Sequence, residues 1–181
     1  MRFYANLLGY QAVWWISMLS VAKGLPWIGI AAAAIFVLAQ WVASGNRGSD
    51  ARLVACSILM GIVIDGFLAT SGLVQYASAT PSLLAPLWIL SIWAAFAMTF
   101  NHSFVFLQGR PALGAALGAV GGPLAYEGAA RLGAVRFDEP AWQAVALLAL
   151  AWGIALPALA MLAHRLRLPA ANASLIPRET Q

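Results

Sequence analysis

The chain has 181 residues, 62% of them hydrophobic and 9% charged, with ten Lys or Arg against six Asp or Glu and a net charge of +4. A soluble domain carries about a quarter charged residues and under half apolar ones, so these groups are too few to cover a globule with water-facing side chains. The usual soluble enzymes are excluded, and so is disorder, which requires low hydrophobicity. The chain belongs in a bilayer, and its length suggests one domain, about 1–166.

A helix needs roughly 20 apolar residues to cross ~30 Å of hydrocarbon. Six such runs follow one another, at about 3–22, 25–43, 51–72, 83–106, 111–132 and 141–163. The first starts at Phe3 with almost no basic residue before it and reaches Lys23-Gly24-Leu25-Pro26 without a small-x-small cleavage site, so it reads as a span and not as a signal peptide. Turn-forming stretches separate the runs: Ser44 to Asp50, Ser78-Ala79-Thr80-Pro81, Gly109-Arg110-Pro111, and Arg136-Phe137-Asp138-Glu139-Pro140. No segment has the ten-residue alternation of a barrel strand. The expected fold class is therefore all-α, a polytopic transmembrane helix bundle of six spans.

With an N-terminus in the cytoplasm, Arg2, Arg47, Arg52, Arg110, Arg165, Arg167 and Arg178 lie inside, and Lys23, Arg131 and Arg136 outside. This asymmetry predicts that both termini are cytoplasmic. Trp27, Tyr76 and Trp142 fall near the outer boundary, and Phe3, Tyr4 and Trp41 near the inner one, as interfacial aromatics do. Residues 167–181 read as a flexible cytoplasmic tail, where the sequon Asn172-Ala173-Ser174 would not be glycosylated. The basic residues are scattered singly, which argues against a nucleic-acid partner and leaves membrane lipid as the expected one. Cys56 stands alone, so neither a disulfide framework nor a Cys-based zinc site is expected.

Polar residues inside the runs are the informative ones, since an Asp at mid-helix costs about 2.5–3.5 kcal/mol to insert. Asp65 lies roughly 21 Å along its helix from Ala51, past the midplane. Ser57, Gly61, Asp65, Ala69 and Gly72 make a stripe of small and polar residues that would face neighbouring helices. Asp65 is either an acid bonded for packing or a functional acid, proton carrier or ligand contact. Thr99-Phe100-Asn101-His102-Ser103 forms a second cluster, nearer the cytoplasmic end, with Asn6, Gln11 and Gln40 at similar depth. His102 is the residue type most easily retuned near neutral pH, yet polar groups at such depth can also be satisfied by water.

The fifth run carries Gly114, Gly118 and Gly122, two overlapping GxxxG steps on which another helix could pack, followed by Pro123 as a kink site. Glu127 stands four residues before Arg131, a spacing that allows an ion pair. Asp65, His102 and Glu127 are the candidate catalytic groups, and Gln11, Asp65, Asn101, His102 and Tyr126 the candidate ligand contacts. Asp65 and Glu127 sit at comparable depth, with His102 roughly 10–15 Å lower. No HExxH, GxSxG, P-loop or GxGxxG is present, so no cofactor and no metal are expected.

Several short words occur in order: Gln11 with Trp14-Trp15, Gly24-Leu25-Pro26-Trp27, Ile64-Asp65-Gly66, Ala85-Pro86-Leu87-Trp88, Thr99 to Ser103, Gly121 to Tyr126, Arg131-Leu132-Gly133-Ala134, and Trp152-Gly153 with Pro157. From about residue 4 to 166 the chain resembles a family of small bacterial inner-membrane proteins known only as a domain of unknown function. The resemblance implies a multi-pass inner-membrane protein with no established activity and a link to lipid metabolism. The leading expectation is a binding, transport or accessory component. The alternatives are an integral membrane enzyme acting on a lipid, with Asp65 as acid or base, and a small proton-coupled carrier.

Overall fold

The computed structural model describes residues 2–78 and 85–167. Residues 79–84 and 168–181, including most of the expected tail and its sequon, lie outside the described residues. The helices are α1 (Arg2–Ala22), α2 (Pro26–Ala43), α3 (Arg47–Thr70), α4 (Leu87–Ala97), α5 (Pro111–Arg131) and α6 (Trp142–Arg167). Two short strands, β1 (Val74–Tyr76) and β2 (Val135–Phe137), pair antiparallel with Gln75 opposite Arg136.

Local chemistry explains most boundaries. Pro26 and Pro111 occupy the first turns of α2 and α5, where a missing N–H goes unnoticed. The Asn46 side chain accepts the Ser49 N–H at 3.3 Å to start α3. Gly72 and Gly133 adopt φ of 77° and 81°, left-handed values that let the chain leave α3 and α5 and enter the two strands.

α4 departs from expectation. The run 83–106 reads as one span, but the helix stops at Ala97 and continues as turns and a 3-10 segment, Val105–Leu107. The physical reason lies in the polar cluster. The Thr99 hydroxyl donates to the Phe96 carbonyl at 2.7 Å, and the Thr99 carbonyl accepts from the N–H groups of His102 and Phe104. Such local bonds compete with the helix ladder. At 11 residues α4 is about 16 Å long. The irregular stretch that extends it begins buried in protein, with Met98, Thr99 and Phe100 all fully inaccessible, and surfaces at Val105 and Phe106. Non-helical backbone among apolar helices is tolerated where protein buries it and supplies its hydrogen bonds.

α4 is also the centre of the bundle, burying Trp88, Ile89, Ile92, Trp93 and Phe96 against its neighbours. α3 packs along α4 and α6, α2 along α1 and α4, and α5 along α6. α2, α3 and α6 are each long and apolar enough to cross a membrane. α1 and α5 have 21 residues each but carry Asn6 and Gln11, or Glu127 and five glycines. All of α1, α2, α3, α5 and α6 turn large apolar side chains outward, among them Leu8, Ile35, Val63, Leu124 and Leu150.

The Gly114–Gly118–Gly122 face meets α6 of the same chain. A Cβ on Gly118 would overlap the Trp152 carbonyl oxygen, one on Gly122 the Trp152 ring, and one on Gly114 would stand 3.2 Å from Pro157. Within the chain, α6 occupies that face. α5 and α6 continue as helices through Pro123 and Pro157.

Candidate functional site

Asp65 is fully buried on α3, and its carboxylate is the meeting point of three other elements. The hydroxyl of Tyr76 on β1 donates to Oδ1 at 2.7 Å, and the hydroxyl of Tyr126 on α5 donates to the same oxygen. The indole Nε1–H of Trp93 on α4 donates to Oδ2 at 2.6 Å. No basic group takes part. Three neutral donors aimed at one carboxylate replace the hydration it lost on burial. Burial, and next the adjacent Asp65, push the Tyr76 phenol well above the ordinary tyrosine range, which keeps it a donor.

The small-residue stripe explains how Trp93 reaches this acid. Ser57 Oγ donates to the Trp93 carbonyl at 2.7 Å, and Gly61 lies so close to the indole that a Cβ would overlap it. Any larger residue at 61 would lift the ring away from Asp65. The far face of Trp93 stacks on Trp152 of α6, with centroids 4.5 Å apart and planes at 14°. Asp65 therefore orients a tryptophan pair that joins α4 to α6.

That pair forms the wall of a crevice between α1, α4, α5 and α6. Its wider part, of about 260 Å³, is lined by Phe104, Phe106, Leu117, Gly121, Trp152 and Leu156 among others. A narrower part of about 50 Å³ adjoins it, sharing Tyr10, Phe96, Ala125 and Trp152 and reaching Tyr126, Ala129 and Val135. The lining is almost wholly apolar and aromatic, the composition of a pocket for an apolar ligand. Trp93 and Tyr126, two of the three donors to Asp65, stand in this wall.

The other candidates are dispersed. Asn101 joins the start of α3 to the end of α6: its Nδ2 donates to Asp50 Oδ1 at 2.6 Å and to Ser49 Oγ at 3.2 Å, while Arg167 donates to its Oδ1 at 2.9 Å and to its backbone carbonyl. Asn6 donates to Gln40 at 2.9 Å and to the Met98 carbonyl at 3.1 Å, and accepts from Ser103. These bonds hold the irregular stretch after α4 in place. His102 belongs to that stretch, and Gln11 lies on the exposed face of α1. Glu127 pairs with Arg131 at 3.0 Å on an exposed surface, as its spacing suggested. Asp65, His102 and Glu127 do not converge. Among the described residues no three His, Cys, Asp or Glu side chains form a cluster.

Sequence reasoning missed three residues of the Asp65 site. Tyr76, read as an outer-boundary aromatic, is buried with its hydroxyl on Asp65. Trp93 belonged to no motif, and Trp152 entered only through the word Trp152-Gly153, with no link to Asp65; the available signal was a buried acid without a nearby base, which needs N–H or O–H donors from elsewhere.

No curated protein and no solved structure matches the chain. A family described as a protein of unknown function, DUF2878, matches residues 3–158. That span covers most of the chain, and the protein belongs to this family.

Proposed function

We propose that this is a multi-pass protein of the bacterial inner membrane that holds the acyl chain of a membrane lipid in the aromatic crevice between α1, α4, α5 and α6. Three helices suit a bilayer by length and hydropathy, and the outward apolar side chains on the others form a belt larger than soluble monomers expose. Five of the helices have 18 or more residues and the fourth run continues past α4 to Leu107, which favours six crossings and both termini on one side, the cytoplasmic one. The positions of the exposed arginines support the same orientation.

The observation that carries the ligand reading is the crevice itself, roomy and apolar, walled by a tryptophan pair that a buried acid holds in place. An acid–base or proton-carrying role for Asp65 needs an oxygen with room for a substrate or a proton path. Both oxygens instead face Tyr76, Tyr126 and Trp93, and the residue is fully inaccessible. The role that fits is positioning.

The test is lipid retention. Protein purified in mild detergent is extracted with solvent, and bound lipids are quantified by mass spectrometry beside a Gly121→Trp variant. Gly121 lines the crevice and faces open space, so the indole fills the site without displacing a helix. The wild type should retain a lipid that the variant holds about tenfold less, a difference of about 1.4 kcal/mol. Equal retention by both proteins would refute the reading.

A further inference from the structure

We infer that the crevice takes one chain of an anionic phospholipid, entering from the end of the bundle where α5 begins, with its phosphate on Arg110. This rests on the acyl-chain reading above and adds the headgroup and the direction.

Length comes first. Along α5 the crevice runs from Leu117 to Ala129, twelve residues or about 18 Å. That is close to half of the ~30 Å hydrocarbon thickness, the depth of one leaflet. Its two ends differ. Toward the strands it closes on Trp88, Tyr126, Ala129 and Val135, each at most 5% exposed. Toward the start of α5 it is bordered by Phe106 and Leu117, each 44% exposed. That second end is the more exposed one, so a chain enters there and its head remains there.

The charge at that end is one-sided. Arg47 and Arg52 at the start of α3, Arg110 just before α5, and Arg165 and Arg167 at the end of α6 are all exposed, and the acid Asp50 is buried against Asn101. At the strand end Lys23, Arg131 and Arg136 are offset by Glu127, Asp138 and Glu139. Arg110 is the arginine best placed for a head. Its N–H donates to the carbonyl of Leu107, a crevice residue, at 3.0 Å. Its side chain is exposed, and among the described residues it has no ion-pair or hydrogen-bond partner. Arg167 by contrast is committed to Asn101. A guanidinium presents paired N–H groups that match phosphate oxygens, whereas a zwitterionic head brings its own cation into the same ring of arginines.

The experiment uses the full chain in phosphatidylcholine vesicles carrying trace amounts of one of three probes with a diazirine on the acyl chain: phosphatidylglycerol, phosphatidylcholine or palmitic acid. After irradiation, adducts are mapped by mass spectrometry. Adducts on residues 117–125 should be about tenfold more abundant with phosphatidylglycerol than with phosphatidylcholine. Arg110→Gln should bring the anionic probe down to the zwitterionic level, while Arg136→Gln, at the opposite end, should change nothing. Both positions are exposed, and circular dichroism of each variant checks its fold. Equal labelling by the two phospholipids would overturn the headgroup assignment and leave acyl binding intact. Labelling by palmitic acid without phosphatidylglycerol would overturn the phospholipid source. Absence of crevice adducts with every probe would sink the acyl-chain reading and this inference together.

Discussion

Replacing Asp65 by Ala removes the single acceptor shared by the Tyr76 and Tyr126 hydroxyls and the Trp93 N–H. Each orphaned buried donor costs about 1–3 kcal/mol, so the three together set a range of about 3–9 kcal/mol. Relief of the carboxylate's own desolvation acts in the opposite sense, which places the expected loss at about 3–6 kcal/mol. Even at the ~0.6 kcal/mol typical of interhelical bonds in a membrane protein, the loss is about 2 kcal/mol. Asp65→Asn should lose less, about 1–2 kcal/mol. The amide oxygen can accept from Trp93, while its NH₂ donates to the tyrosine hydroxyl oxygens, which can accept as well as donate. The assay is SDS-induced unfolding of the detergent-solubilised protein, followed by near-UV circular dichroism of its eight tryptophans. A second substitution sharpens it. Adding Tyr126→Phe to the Asp65→Ala background deletes an orphaned hydroxyl and should restore about 1–2 kcal/mol. An Asp65→Ala protein within about 1 kcal/mol of the wild type, or a further loss on adding Tyr126→Phe, would refute the account of Asp65 as a shared acceptor.

The same unfolding assay separates the glycines of α5. Gly118→Ala forces a methyl onto the Trp152 carbonyl and should cost about 1–3 kcal/mol, whereas Gly121→Ala meets open space and should be neutral or gain up to about 1 kcal/mol from helix propensity. Similar values for both would contradict the α5–α6 packing. For the surface pair, Glu127→Gln should shift stability by no more than about 1 kcal/mol, since Glu127 and Arg131 are 46% and 79% exposed; a larger loss would mean that the pair is buried in the folded protein.

Much of this architecture is readable along the chain because a bilayer demands continuous apolar runs and turn residues between them. Gly24 and Gly109 stand in the breaks between runs and adopt φ of 75° and 77°, the left-handed backbone that glycine supplies. The Ser57-Gly61-Asp65 face was readable as a contact face, because small residues at helical spacing have no other use in an apolar helix. α4 was not readable in the same way. Hydropathy counts apolar residues and is blind to Thr99 bonding back to Phe96 and to Asn101 and Ser103 finding partners on α1, α3 and α6, bonds that compete with the helix. The two strands escaped notice for a related reason: with three residues each, they exist through their pairing with one another.

By itself, then, the sequence determined that the chain is helical, suited to a membrane, and organised around an acid with no base beside it on its helix. These properties follow from composition and from spacing along one chain. Which groups satisfy that acid was decided by tertiary structure alone. Tyr76, Trp93 and Tyr126 are 11, 28 and 61 residues away from Asp65, and nothing local encodes their convergence. The same holds for the crevice, whose walls belong to α1, α4, α5 and α6 and enclose a space only when all four are packed. A buried carboxylate demands donors wherever the fold can supply them, and only the folded chain shows which residues those are.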